Sequence, residues 1–246
     1  MGGLRDPEHF RGYIRNARLH AGARLLVGED AESFFPSVPV GRIAAAFRHV
    51  CRFPPPVADI LAKLCTRRGT LVQGAITSPY LANLALYREE PRLAQQLESQ
   101  GVTYTRFLDD MNASTVHRLS KTDRTGLVKL LRGTLEKAGL RPKRKKQVIA
   151  GSGSRMVVNN LNIAGGRASR DRGYRHNLRA ALHQLEMAAK EGRFTAEFEK
   201  SFISTAARIG GLRELNPNTV EKLRLRLDKI KRARRRHISR APHPAR

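Results

Sequence analysis

The sequence predicts an α+β fold in which an antiparallel sheet with packed helices is followed by an α-helical region. Three observations carry this. Residues 102–107 and 111–116 are short runs enriched in aromatic and β-branched types on either side of Asp109-Asp110, the pattern of a hairpin with acids at its tip. Residues 23–30 form an apolar run that closes on an acid, which reads as a buried strand delivering Asp30 to its C-terminal end. From Leu178 onward the apolar residues recur at helical spacing.

The other elements follow in order. Residues 1–20 are polar and short of core residues. Ser37 can cap a helix from Val40, whose apolar face is Ile43, Ala46, Phe47 and Val50, with Pro54-Pro55-Pro56 as its stop. Residues 57–65 give a second helix with Ile60, Leu61 and Leu64 on one side. Gly74 and Pro79 punctuate a loop, and Ser78-Pro79 reads as cap and first position of a helix over 80–87 that turns Leu81, Leu84 and Ala85 inward. Pro91 breaks or restarts it. Residues 123–138 are helical, with Leu127, Leu130, Leu131 and Leu135 on one stripe and Gly139 as terminator. A cationic run at 143–146 precedes a strand at 147–150, and a second hairpin is expected around Gly151-Ser152-Gly153, returning through 156–158 to Leu161 and Ile163. Three helical stretches follow, over 178–187 (Leu178, Leu182, Leu185, Met187), 194–209 and 219–230, separated at Gly210-Gly211 and Asn216-Pro217. Residues 229–246 are basic, poor in core residues and expected to be mobile. The division between the mixed and helical parts is placed near residue 166.

The 246 residues carry 47 Lys and Arg against 21 Asp and Glu, a formal charge of +26. That excess is too large for an ordinary enzyme of small neutral substrates and points to a polyanion, most simply nucleic acid. A membrane partner is not expected, because there is neither a long apolar span nor a basic helix with a large aromatic face. Cys51 and Cys65 lack metal-ligand spacing and read as small buried hydrophobes in a reducing, cytoplasmic setting. The N-terminus lacks a signal-peptide pattern.

Asp109 and Asp110 repel each other, and a divalent cation is one way to offset this. An isolated Asp-Asp is more often a solvated turn. With Asp30 on a neighbouring strand, three carboxylates can converge on two Mg²⁺ ions roughly 3.5–4 Å apart, an arrangement suited to phosphoryl transfer. In a basic chain this fits a polymerase or a nuclease.

Three blocks narrow the choice. Asp30-Ala31-Glu32-Ser33-Phe34-Phe35-Pro36-Ser37, then Gln73-Gly74-Ala75-Ile76-Thr77-Ser78-Pro79, then Tyr104-Thr105-Arg106-Phe107-Leu108-Asp109-Asp110 stand in the order and at about the spacing of the palm of reverse transcriptases. The chain resembles this family, and within it the bacterial retron and group II intron type. The match runs from about Asn16 to Ile163 and more loosely through the helical end. Ser78-Pro79 speaks against the diversity-generating kind. The resemblance implies a right-hand polymerase palm over 23–166, a helical thumb over 167–230, a remnant of fingers over 1–22 and a basic tail over 231–246.

It also implies roles. Asp30, Asp109 and Asp110 would be catalytic, binding two Mg²⁺ (or Mn²⁺ as substitute) together with the Ala31 carbonyl. Phe35 falls where the family places an aromatic gate against the sugar, which predicts deoxynucleotide use, while Phe34 is expected in the core. Gln73 and Gly74 fall in the loop at the incoming nucleotide, and Lys146 at the basic position near its triphosphate. Lys143, Arg144 and Lys145 would track nucleic-acid phosphates, as would Arg208 in a stretch similar to retron thumbs. Asn16-Ala17-Arg18-Leu19-His20 resembles a retron signature, which places Asn16 and His20 among nucleic-acid contacts. Two substitutions depart from the family: Val158-Asn159-Asn160 stands where Val-Thr-Gly is usual, and Leu108 where Ala is common. The segment before Asp30 is much shorter than in the family, so most of the fingers are expected from a second chain or an upstream segment.

The implied activity is RNA-directed DNA polymerisation. A retron-like member copies part of a partner non-coding RNA into single-stranded DNA from dNTPs, in the bacterial cytoplasm, and serves anti-phage defence with an effector protein. The rivals are a non-catalytic nucleic-acid-binding scaffold on the same fold and a group II intron-type reverse transcriptase.

Overall fold

The computed structural model of the chain describes residues 12–240. Residues 1–11 and 241–246, which hold much of the expected fingers remnant and the end of the basic tail, lie outside the described residues. The chain forms two compact units, residues 1–168 and 169–246. No helix among the described residues is long and apolar enough to cross a membrane.

The first unit runs α1 (Tyr13–Leu19), β1 (Leu25–Asp30), a 3₁₀ turn (Phe35–Ser37), α2 (Val40–His49), α3 (Pro55–Leu64), β2 (Thr66–Arg67), β3 (Thr70–Leu71), α4 (Ser78–Leu84) and α5 (Glu90–Ser99). It continues with β4 (Thr103–Phe107), β5 (Asp110–Thr115), α6 (Lys121–Lys137), a second 3₁₀ turn (Arg144–Lys146), β6 (Val148–Gly151), β7 (Val157–Val158) and β8 (Leu161–Asn162). The main sheet is antiparallel in the order β4-β5-β1-β6. β1 is central, and every one of its residues is buried.

Strand periodicity divides this sheet into two unlike faces. Leu25 and Val27 of β1, with Met111 and Ala113 of β5, join Leu127, Leu131 and Leu135 of α6 in the main core. Full burial of one such leucine contributes roughly 1.5–3 kcal/mol. The alternate residues Gly28 and Asp30 pair in register with Asn112 and Asp110 on the opposite, polar face. A capping box between Ser120 and Asp123 starts α6, and Gly139 at φ +74° lies just past its end.

Several local expectations are corrected. Ser37 does not cap α2: the N-cap is Pro39, the Val40 N–H donates to the Gly69 carbonyl at 2.8 Å, and the Ser37 hydroxyl instead donates to the Glu32 carbonyl. α3 buries Ala58 and Ala62, leaving Ile60 59% and Leu64 77% exposed. Small alanines let α3 lie close against α2, so side-chain size overrides hydrophobicity in choosing the inner face. The proline run starts α3 rather than merely ending α2. Thr77 stands at the N-cap position of α4, one residue before the expected Ser78, and its side chain makes no capping hydrogen bond among the described residues. β6 pairs with β1, and the second hairpin is β7–β8, turning at Asn159-Asn160. Both asparagines have positive φ (+49° and +61°), the requirement of a type I′ turn. Cys51 is exposed in the loop after α2 and only Cys65 is partly buried.

The second unit is α7 (Arg172–Lys190), α8 (Ala196–Gly210) and α9 (Pro217–Arg240). Side chains of Asp171, Thr195 and Asn216 accept from the backbone N–H of Tyr174, Phe198 and Thr219, capping each helix in turn. The core holds Leu178, Leu182, Leu185, Phe198, Ile209, Leu212, Val220, Leu223 and Ile230. Met187, expected with them, is 40% exposed. Where the sequence predicts a mobile tail from 231, α9 stays helical through Arg240. Arg234 Nε donates to Glu199 at 2.6 Å and the His237 ring lies 4.7 Å from that of Phe194, contacts that hold this basic stretch without a run of apolar residues.

Candidate active site

Asp30 ends β1 and Asp110 begins β5, directly opposite in register. Asp109 lies between them in the two-residue β4–β5 turn, and the Ala31 N–H donates to its carbonyl at 3.1 Å. Three acids thus meet at one end of two adjacent strands because a tight hairpin places its tip beside the end of the neighbouring strand.

That hairpin is strained. Leu108, first residue of the turn, has φ +58°, a conformation ordinarily left to glycine. Arg106 braces it. Its guanidinium is 1% exposed, donates to the Leu108 carbonyl at 2.9 Å and the Asn83 carbonyl at 3.0 Å, and pairs with Glu90 through bonds of 2.9 and 2.6 Å. Tyr104 adds a hydrogen bond to Glu90 at 3.1 Å. Neither Arg106 nor Glu90 is singled out by the motif, although an arginine alternating with Tyr104 on the core-facing side of β4 is a legible sign of a buried partner.

The electrostatics follow from this crowding. Burial pushes the Asp109 carboxyl up, and the Asp30 charge adds to it. Asp110 is pushed up to about 6, first by burial and then by Asp30 and Asp109, against the opposing influence of Asn112. Lys146 Nζ lies 2.6 Å from Asp30 Oδ2, and its pKa is raised chiefly by that hydrogen bond. One lysine against three carboxylates leaves negative charge uncompensated. Among the described residues no group of three or more His, Cys, Asp or Glu side chains is already gathered around a metal position, so the expected ligand set is not closed. Its chemistry nevertheless fits a divalent cation: hard carboxylate oxygens, partly desolvated and mutually repelling.

The other candidates have varied surroundings. Phe34 is buried in the core, while Phe35 is half-buried and meets it edge-on at 5.8 Å between ring centres. Gln73 and Gly74 are exposed on their loop, Gly74 at φ +91°. Lys143, Arg144 and Lys145 line a cleft of about 640 Å³ with Arg132 and Arg141, and the Lys143 N–H donates to the Asp30 carbonyl at 2.7 Å. In the second unit the Arg208 guanidinium stacks 5.0 Å over the Tyr174 ring, on which Arg170 also lies at 4.8 Å.

The resemblance sets Asn16 and His20 among nucleic-acid contacts, and the structure encloses their side chains within the sheet unit. Both are buried. His20 Nδ1 lies 2.7 Å from Ser114 Oγ and Nε2 2.7 Å from Thr105 Oγ1, so the ring pins α1 to β4 and β5. Burial lowers its pKa to about 4, which keeps it neutral near pH 7. Asn16 Nδ2 donates to Asn159 Oδ1 at 2.6 Å. No local pattern could have identified these partners, which lie far along the chain.

No protein-family model matches the chain. Among curated proteins it is 27% identical over 223 residues to the retron Se72 reverse transcriptase of Salmonella heidelberg, covering 89% of this chain and 59% of that protein. It is 30% identical to the retron Ec86 reverse transcriptase of Escherichia coli, covering 72% of this chain and 54% of that protein. To the retron Mx162 reverse transcriptase of Myxococcus xanthus it is 31% identical, covering 74% of this chain and 44% of that protein. The chain spans about half the length of the curated relatives it matches. Among solved structures, telomerase from Candida albicans in complex with a fragment of telomeric RNA superposes with a TM-score of 0.54 at 11% identity, over 94% of this chain and 43% of that one. That likeness extends to the fold.

Proposed function

We propose, from the chain's kinship in sequence with the retron reverse transcriptases, that it is the palm and thumb of an RNA-directed DNA polymerase. The observation that carries this is the pairing of Asp30 with Asp110 across β1 and β5, with Asp109 in the intervening turn. Asp30, Asp109 and the Ala31 carbonyl, with Asp110 beside them, would hold two Mg²⁺ ions. When bound, these ions supply charge neutralisation for phosphoryl transfer and acidify a 3′ hydroxyl.

The chain's own residues do the positioning. Lys146 would meet the triphosphate, Phe35 would sit against the sugar and exclude a 2′ hydroxyl, and the Gln73-Gly74 loop would touch nucleotide and template. Lys143, Arg144, Lys145 and Arg208 would hold phosphates through sequence-independent, salt-sensitive contacts. The substrates are dNTPs, and the template is a structured non-coding RNA copied into single-stranded DNA. An effector protein and a role in phage defence in the bacterial cytoplasm complete the reading.

The test is incorporation of labelled dNTPs with co-purified RNA by wild type and by Asp109→Ala with Asp110→Ala. Loss in the variant supports the reading, and equal incorporation overturns it. A second reading, a nucleic-acid-binding scaffold, draws on the Lys146–Asp30 ion pair and the open ligand set. RNA binding unchanged in EDTA, with no incorporation under any priming condition, would establish it.

A further inference from the structure

The β7–β8 turn reaches the acidic centre. Asn159 Nδ2 lies 3.4 Å from Asp110 Oδ2, and Asn159 Oδ1 accepts from Asn16 Nδ2 at 2.6 Å. The orientation of the Asn159 amide is fixed by chemistry. An ionised carboxylate only accepts hydrogen bonds, so the amide nitrogen faces Asp110 and the oxygen is left for Asn16. A carboxamide can do both, accepting on one side and donating on the other, and at φ +49° asparagine also suits the turn.

Asp110 therefore stands beside two carboxamides. Asn112, two residues on along the same face of β5, is 3% exposed, and its side chain favours the ionised form of Asp110. The charged groups around Asp110 are Asp30, Asp109 and Lys146. Two acids and one lysine offer no net attraction that would fix its carboxylate, so orientation falls to neutral donors.

We propose that Asn159 is a positioning residue for Asp110, held in register by Asn16, so that the acidic centre is completed only when α1 and the β7–β8 hairpin are both seated. This rests on the metal-site reading given above. Groups that orient a ligand carboxylate are worth typically 10- to 100-fold in metal affinity.

The test uses the full chain with Mn²⁺ as probe, its binding read from the loss of the free-ion paramagnetic resonance signal and set beside the Mg²⁺ dependence of dNTP incorporation. Asn159→Gly keeps the positive-φ turn and removes the amide. It is expected to bind Mn²⁺ at least about tenfold more weakly, with a thermal unfolding midpoint near wild type. Asn16→Ala should weaken binding too, and adding it to Asn159→Gly should cost nothing further, as expected for one chain of contacts. Asp110→Asn is the reference. If it loses Mn²⁺ while Asn159→Gly binds like wild type, Asn159 is only a turn residue and the proposal is overturned. If Asp110→Asn itself binds undiminished, the metal-site reading falls and the relay with it.

Discussion

The two units fill their interiors in opposite ways. The helical unit has a dry core of leucine, isoleucine, valine and phenylalanine, with Thr205 the buried polar residue among those described. The sheet unit also encloses Asn16, His20, Glu29, Asp30, Glu90, Arg106 and Asn112. Burying a polar group is unfavourable unless it is paired, and a buried ion pair gains little over hydrocarbons of the same volume. The sheet unit's polar interior is therefore poorly explained by stability. It is explained by geometry: Arg106 and Glu90 hold the turn that carries Asp109, His20 ties α1 to the strands, and Asn16 leads through Asn159 to Asp110.

This contrast can be broken by mutation. The largest effect is expected for Arg106→Leu, which leaves the buried Glu90 carboxylate without its cation and should cost about 3–5 kcal/mol. Chemical denaturation measures it, and a loss below 1 kcal/mol would mean the pair is not the brace described. In the other unit, Leu182→Ala opens a cavity in an apolar core and should cost about 2–5 kcal/mol. The sharper readout is activity per folded molecule. Arg106→Leu should depress it through the hairpin, whereas Leu182→Ala should leave dNTP incorporation intact at temperatures where the protein stays folded.

A pH series probes the same difference. Burial holds His20 at about 4 against an ordinary 6.5, so the unfolded chain takes up the proton first as pH falls. Stability should therefore drop from about pH 6.5 towards pH 4, by about 3 kcal/mol at the acid end. Asp110 opposes this. Its carboxyl stands at about 6 against an ordinary 3.8, so the folded state takes up the proton first, and stability from this group rises as pH falls through 6. Denaturation curves from pH 7 to pH 4 should fall less steeply in His20→Gln than in wild type, and equal slopes would remove the imidazole from the account. The smallest effect is expected for Arg234→Ala in α9. Its partner Glu199 is about as accessible as Arg234 itself, and such surface pairs are worth about 0–1 kcal/mol.

What the sequence revealed was local. The apolar run into Asp30, the hairpin around Asp109 and the leucine stripe of α6 each follow from neighbours a few residues apart. The structure sets Asp30 opposite Asp110 as the antiparallel reading requires. What stayed hidden depends on distant partners or on packing distances. Asn16 and His20 look like surface residues until their partners, Asn159, Ser114 and Thr105, are folded beside them. Ile60 and Leu64 outrank Ala58 and Ala62 on any hydrophobic scale, yet close approach of α2 reverses the choice. The β7–β8 hairpin has two-residue strands, too short to show alternation, and its asparagines signal a turn only once their positive φ is known.

The Asn16–Asn159 contact also has a consequence in time. It joins residues 143 positions apart, whereas the β4–β5 hairpin closes across two residues. Hairpins form in about 1–10 μs, while contacts between distant parts of a chain must first meet the entropy of closing long loops. The turn bearing Asp109 can therefore take shape early as the chain collapses, and the link from α1 is among the last stitches. A nascent or partly folded chain would carry its acidic residues without their final alignment, so the geometry of the acidic centre is complete only when folding is.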